Sequence, residues 1–322
     1  MTAIQSDAPG RAKPRGSNAS GAASPPRSSL RQARRRTYLV PYLLLTPFVI
    51  LFAVFFISPI VYAAYLSVFV DRVIGGQVFV GLANYARVLS DPLFFAGLGR
   101  VLLYGIVVVP GTLLLALLFA LLLDRDRLPG RPFLQLAYFL PFSIPSVISA
   151  LLWGYMYGNT FGVFTQIARA VGLPDPQLLS AGTILFSIGN IAIWAATGAN
   201  MIIYYSALRS IPRELFESAR IDGASEWQIA WHIKIPLLRS TMVFTAVLAI
   251  IGALQLFSEP MVLKPNALGA ITNSFTPNMY AYNLISSSQQ YNLAAAVAFT
   301  LTVLIVGLTG LFLLLTRKRD AS

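Results

Sequence analysis

Six apolar stretches, each long enough to cross a lipid bilayer, limit what this chain can fold into more than any other feature. They run approximately over residues 41 to 66, 96 to 123, 133 to 157, 183 to 206, 241 to 263 and 292 to 316, with few or no charges. A helix of about 20 residues crosses the ~30 Å hydrocarbon layer. Backbone groups in lipid must pair within their own segment, and the alternation of barrel strands is missing, so each stretch is expected to be helical. The expected fold class is an all-α integral membrane protein with six transmembrane helices. A chain that is 56% hydrophobic and 11% charged departs from soluble domains in both respects.

Basic residues orient the spans. Of 24 Lys and Arg, 19 lie in the N-terminal tail, the loop carrying Arg125, Arg127 and Arg131, the 207 to 240 loop, and the C-terminus. The other 5 are Arg72, Arg87, Arg100, Arg169 and Lys264. By the positive-inside rule both termini are expected to face the cytoplasm. This distribution explains the net charge of +12 without nucleic acid as a partner.

Residues 1–36, rich in Ser, Ala, Gly, Pro and Arg, are expected to form a disordered basic cytoplasmic tail. The run from Tyr38 to Leu66 is too long for the apolar region of a cleaved signal. A first helix and outer loop then occupy 37–95, a core of five transmembrane helices 96–317, and a cytoplasmic C-terminus 318–322. In the outer loops, Leu82, Tyr85 and Leu89, and also Val163, Ile167 and Val171, recur at helical spacing and predict two short helices packed against the bundle. Trp153, Tyr155 and Tyr157 read as an interfacial aromatic belt.

Chemistry is sparse. There is no cysteine and one histidine, which removes thiol nucleophiles and most zinc or iron sites. No GxxxxGK[ST] loop is present, so this chain is not expected to hydrolyse ATP or to bind a cofactor itself. A membrane enzyme would need a cluster of nucleophile, base or metal ligands. An ion-coupled transporter would carry charges near the membrane centre or repeats with broken helices. Neither pattern is evident, and His232 reads as a surface or packing residue.

The segment RSIPRELFESARIDGASEWQIAWHIKIPLLRS, residues 209–240, carries the most information. Pro212 suits a first helical turn, and Glu214 and Glu217 complement the positive end of a helix dipole. Gly223 can close that helix in the left-handed conformation. Ser225 with Gln228 forms a capping box for a second helix through Trp227 and Trp231, which Pro236 is expected to stop. Leu215, Phe216, Trp227, Ile229 and Trp231 need cover, and an exposed apolar patch usually marks an interface. An amphipathic segment lying on the inner leaflet, aided by Arg209, Arg213 and Arg220, is equally compatible with these residues.

Glu217, Ser218 and Ala219, then Gly223, then Ile233-Lys234-Ile235-Pro236 closely resemble, in type and spacing, the Glu-Ala-Ala loop of binding-protein-dependent ABC importer permeases. Ser218 stands for the first alanine and Ile235 for the usual leucine. VGLANYARVLSDPLF at 80–94, FLPFSIPSVISALLWGYMY at 139–157 and LQLFSEPMVL at 254–263 are similar to the carbohydrate-type members, the maltose and glycerol-3-phosphate permease-like group with a MetI-like transmembrane domain. After Leu263 this chain has KPNALGAI where the family usually has a Thr and a Gly-Gly-Pro turn.

The resemblance implies a multi-pass permease subunit in the cell membrane that imports a sugar or related polyol. It implies a second permease subunit, two copies of a cytoplasmic ATPase holding ATP and Mg²⁺, and an extracytoplasmic solute-binding protein as partners. Glu217, Ser218, Ala219, Asp222, Gly223, Ile233 and Pro236 would then form the ATPase-docking site. Asn190, Asn200, Tyr204, Gln255 and Glu259 are the polar residues within spans that either line a substrate path or hold helices together. Pro260, next to Glu259, marks where the fifth span is expected to bend.

Overall fold

The computed structural model describes residues 41–72, 74–125, 128–267 and 269–317, the side chain of Arg317 excepted. The basic tail 1–36, Arg127 and the C-terminal 318–322 lie outside the described residues. The chain forms two units, Met1–Ile60 and Val61–Ser322. In the first, residues 41–60 belong to α1 (Pro41–Ser67) and every side chain is exposed, as suits a helix whose solvent is lipid.

In the second unit a hairpin follows α1, with β1 (Phe69–Arg72) antiparallel to β2 (Gly76–Phe79) and Phe69 opposite Phe79. Gly75 and Gly76 take positive φ at its tip, the conformation a tight hairpin turn demands. Next come α2 (Ala83–Leu89), α3 (Pro92–Leu123), α4 (Arg131–Phe139), α5 (Ser146–Met156), α6 (Val163–Ala170) and α7 (Ile184–Arg209). They are followed by α8 (Glu214–Ile221), α9 (Glu226–Ile229), α10 (Arg239–Leu254), α11 (Ser258–Leu263), α12 (Pro277–Ser286) and α13 (Tyr291–Arg317).

Among the described residues five helical segments are long and apolar enough to span: α1, α3, α7, α10 continued through α11 to Asn266, and α13. The bent pair α4–α5 takes the count to six. The third span was expected as one helix over 133–157; instead it breaks, and its halves meet at 96°. Pro145 explains the break. The residue before a proline is pushed out of the helical region, and Ile144 is extended at φ −84°, ψ 125°. The fifth span breaks earlier than expected, at Gln255–Phe257. Pro260 sits in the first turn of α11, where its missing N–H costs no helical hydrogen bond.

Helices α3 and α7 form the spine. Val101, Tyr104 and Val108 pack with Ile184, Ile188 and Ile191 at one end, and Ala116, Ala120 and Leu123 with Met201, Tyr204 and Leu208 at the other. The two helices therefore run in the same direction, as spans separated by one intervening crossing must. Alanines at 116 and 120 let the backbones approach closely, the usual device where lipid offers no hydrophobic drive between helices.

Both short helices expected from the spacing at 82–89 and 163–171 form, but most of their apolar residues face differently than expected. Helix α2 buries Asn84 and Val88 while Leu82 and Leu89 are exposed. Asn84 donates to the Ser67 and Phe69 carbonyls at 2.9 and 2.8 Å, tying α2 to the end of α1 and to β1. On α6, Val163, Ile167 and Val171 are exposed rather than packed on the bundle. The aromatic belt reduces to Tyr155, because Trp153 and Tyr157 each stack on Phe164 and meet each other at a tilt inside the chain.

Candidate functional site

The α7–α10 connection folds as two short helices set at a fixed turn. The Pro212 carbonyl accepts from Leu215 N just before α8, and Glu214 and Glu217 occupy its first turn. At the far end Gly223 N donates to the Arg220 carbonyl and Ala224 N to the Ala219 carbonyl, the paired bonds of a Schellman cap. Gly223 has φ +87°, a conformation that penalises every residue with a Cβ, and the space beside it is open. Ser225 then caps α9. Its Oγ accepts from Gln228 N at 3.3 Å, and Gln228 Oε1 accepts from Ser225 N at 2.7 Å. Arg220 bridges to Glu226 across the turn at 2.8 Å.

Beyond α9 the backbone widens into a π turn over Ala230–Lys234 before the helical turn Ile235–Leu237. Pro236 was expected to stop the helix; the chain absorbs it instead. A proline ring collides with the carbonyl four residues earlier, here His232, and a π turn opens that spacing. The break comes at Leu238, where ψ falls to −6°. His232 is exposed, with Nδ1 3.1 Å from the Gln228 carbonyl.

One anchoring pair was missed at the level of sequence. Lys234 Nζ donates to Asp124 Oδ2 at 2.5 Å, with side-chain exposures of 8% and 9%, and lies 5.0 Å over the Phe216 ring. The loop is thereby fixed to the end of α3, 110 residues earlier. The five apolar loop residues also divide. Phe216 and Ile229 are buried inside the chain, whereas Leu215, Trp227 (73% exposed) and Trp231 (57% exposed) face outward. The two indoles stack at 5.9 Å and 18°. Glu217, Ser218, Asp222, Gly223 and Pro236 are exposed, while Ala219 and Ile233 are half-buried.

Beside α8 lies a polar cleft of about 290 Å³. Arg131, Arg209, Arg213 and Arg220 line it, together with Glu217 and the Lys234–Asp124 pair.

The five intramembrane candidates do not converge. Asn190 lines a smaller cavity of about 140 Å³ between α3 and α7, with Tyr104 and Gly189, and donates to the Tyr157 hydroxyl at 2.8 Å. Gln255 is exposed at the break after α10, and Glu259 is half-buried at the start of α11. Asn200 donates to the Ala196 carbonyl of its own helix. Tyr204 is fully enclosed and hydrogen-bonds Thr245 of α10 at 2.6 Å, so it lines no open surface of this chain. Along α7, Asn190 and Tyr204 are 14 residues apart, about 21 Å at 1.5 Å per residue.

Comparison with known proteins agrees with this architecture. A trehalose/maltose transport system permease protein of Thermococcus litoralis is 31% identical over 280 residues, covering 86% of this chain and 94% of that protein. A lactose transport system permease protein of Rhizobium radiobacter is 30% identical over 299 residues, covering 90% and 98%. The crystal structure of a bacterial ABC transporter involved in the import of the acidic polysaccharide alginate contains a chain that superposes with a TM-score of 0.77. That likeness covers 90% of this chain and 99% of the other, at 22% identity. The profile of the binding-protein-dependent transport system inner membrane component matches residues 36–320, and this chain belongs to that family.

Proposed function

We propose that this chain is the transmembrane permease subunit of an ATP-driven importer for a sugar or related polyol, of the oligosaccharide or glycerol phosphate class, coupled to a separate ATPase through the Glu217–Pro236 loop. The observation that carries this reading is the form of the loop. It is held rigid by a Schellman cap, a capping box and a buried ion pair, yet it turns two stacked tryptophans outward. Glu226, Gln228 and His232, all exposed, interleave with those rings. Such a mixed surface suits a protein interface better than the continuous apolar stripe of a membrane-lying helix.

The assembly that fits is one further permease subunit, two ATPase copies carrying ATP and Mg²⁺, and an extracytoplasmic binding protein. In this reading both termini and the loop face the cytoplasm, with residues 1–36 as a cytoplasmic tail, 37–95 as first helix and outer loop, 96–317 as the permease core and 318–322 as the cytoplasmic end. No cofactor is assigned to this chain. The sugar class follows the trehalose/maltose and lactose relatives.

Replacing both indoles, Trp227→Ser with Trp231→Ser, is expected to leave folding intact because both are exposed. Co-purification of the ATPase should fall at least tenfold, since one buried interface tryptophan contributes about 2 kcal/mol or more. Undiminished recovery of the ATPase would remove the docking role. Topology is read separately, because the chain has no native cysteine. A Glu226→Cys variant is expected to react with an impermeant maleimide from the cytoplasmic side only; labelling of intact cells from outside would invert the orientation.

A further inference from the structure

We propose that the basic cleft beside α8 holds the phosphate of an anionic phospholipid, whose acyl chains lie along the outer face of α4. Three observations converge on it. Three guanidinium groups, from Arg131, Arg209 and Arg213, line one concavity together with Arg220, which also bridges to Glu226; among the described residues Glu217 is the only acid lining it outside the Lys234–Asp124 pair. Planar guanidinium forks match phosphate oxygens two at a time, which separates this cleft from a scatter of positive charge on a flat surface.

The second observation is an unmet hydrogen-bonding group. Arg131 Nε is buried and has no acceptor, although the same side chain donates from Nη2 to the Arg125 carbonyl. Buried donors normally find an acceptor. A phosphate oxygen seated in the cleft would supply one at the residue that starts α4.

The third observation decides what carries the phosphate. Arg131 is the first residue of α4, and Phe133, Leu136 and Leu140 after it are exposed at 71%, 60% and 56%. Their spacing of three and four places them on one side of the helix. The cleft itself lies where α3 and α7 end and α4 begins, the depth at which headgroups sit. A free phosphate or an acidic protein segment would account for the arginines but not for the apolar face beside them.

The test uses the full-length chain, purified in mild detergent with its co-purifying subunits and exposed to a mixture of phosphatidylglycerol and phosphatidylcholine. Native mass spectrometry then reads the lipid retained. Phosphatidylglycerol is expected to be retained in preference, and the Arg131→Gln/Arg213→Gln variant should lose about fivefold in retention for each arginine removed. Arg213→Gln alone, an exposed site, serves if the double variant misfolds. An Arg72→Gln control should retain lipid as the parent does. Equal retention of the two lipids, undiminished phosphatidylglycerol in the variants, or its displacement by inorganic phosphate would each overturn the proposal. Which leaflet supplies the lipid rests on the cytoplasmic orientation above. Retention in detergent does not, so a failed topology and a failed lipid site give different results.

Discussion

Gly198→Val is expected to abolish recovery of folded protein, and Gly198→Ala to lower stability by about 3 kcal/mol, the upper end for an over-packed site. A Cβ built at Gly198 falls 1.8 Å from the Tyr138 carbonyl oxygen and 2.9 Å from Phe139 Cα. The obstacle is backbone, so no rotamer change relieves it; α4 and α7 must separate. Separation also disturbs Tyr138, whose ring stacks on Phe119 of α3 at 4.4 Å and 14°. Gly198 therefore seats the first half of the broken third span, α4, on the α3–α7 spine. Gly307 is the internal comparison, because a Cβ there meets nothing within 4 Å. Gly307→Ala should match or slightly exceed the parent, since alanine is the better helix former by about 1 kcal/mol. Thermal unfolding in detergent, followed by monodisperse yield, reads both. Equal melting of Gly198→Ala and Gly307→Ala would show that the α4–α7 approach is not close.

Features set by neighbours in sequence were legible before the structure. The spans follow from hydropathy, which is a property of a window. Gly223 and the Ser225–Gln228 capping box follow from turn chemistry within a few residues, and both form as read. Breaks were less legible. Pro141 and Pro145 stand in the sequence of the third span, yet its apolar length suggests one helix. The 96° bend depends on a kink that hydropathy averages away. The run Ala195-Ala196-Thr197-Gly198-Ala199 is a usable sign of close helix approach, but it does not say that Tyr138 is the neighbour. The hairpin was missed although Gly75-Gly76 sits between Phe69-Val70 and Val78-Phe79, a glycine turn signal outweighed by the surrounding spans.

The loop residues divide for a related reason. Apolar type told that Phe216, Ile229, Trp227 and Trp231 need cover. Only the fold distinguishes the first two, covered by this chain, from the last two, which are not. Polar residues in spans were the least legible. Tyr204 and Asn190 have the same sequence credentials, yet one is sealed by Thr245 and the other opens on a cavity.

Lys234→Met is expected to destabilise the protein by about 3–5 kcal/mol, because it strands Asp124 as a buried, unpaired carboxylate. Asp124→Leu should cost a similar amount by stranding the ammonium. The double variant should recover most of the loss, since an apolar pair of similar volume removes both desolvation penalties at once. Methionine is the informative replacement. Its thioether can keep the contact that Lys234 makes over the Phe216 ring, so the link between α8 and the π turn survives without charge. Thermal unfolding of the two single variants and the double variant closes a mutant cycle; a double variant as unstable as either single one would deny that the pair is coupled. Transport then separates two ways in which the loop can move the helices. In the proposed coupling, force received at Trp227 and Trp231 would reach α10 through the continuous backbone at Leu238. It would reach α3 both through the Lys234–Asp124 pair and through the packing of Leu238 against Ala120 and Leu123. If packing transmits it, the double variant regains transport together with stability. If the charge pair itself is the link, the double variant is stable and well assembled but idle, and the contact between Lys234 and Asp124 becomes part of the coupling path rather than a fastening for the loop.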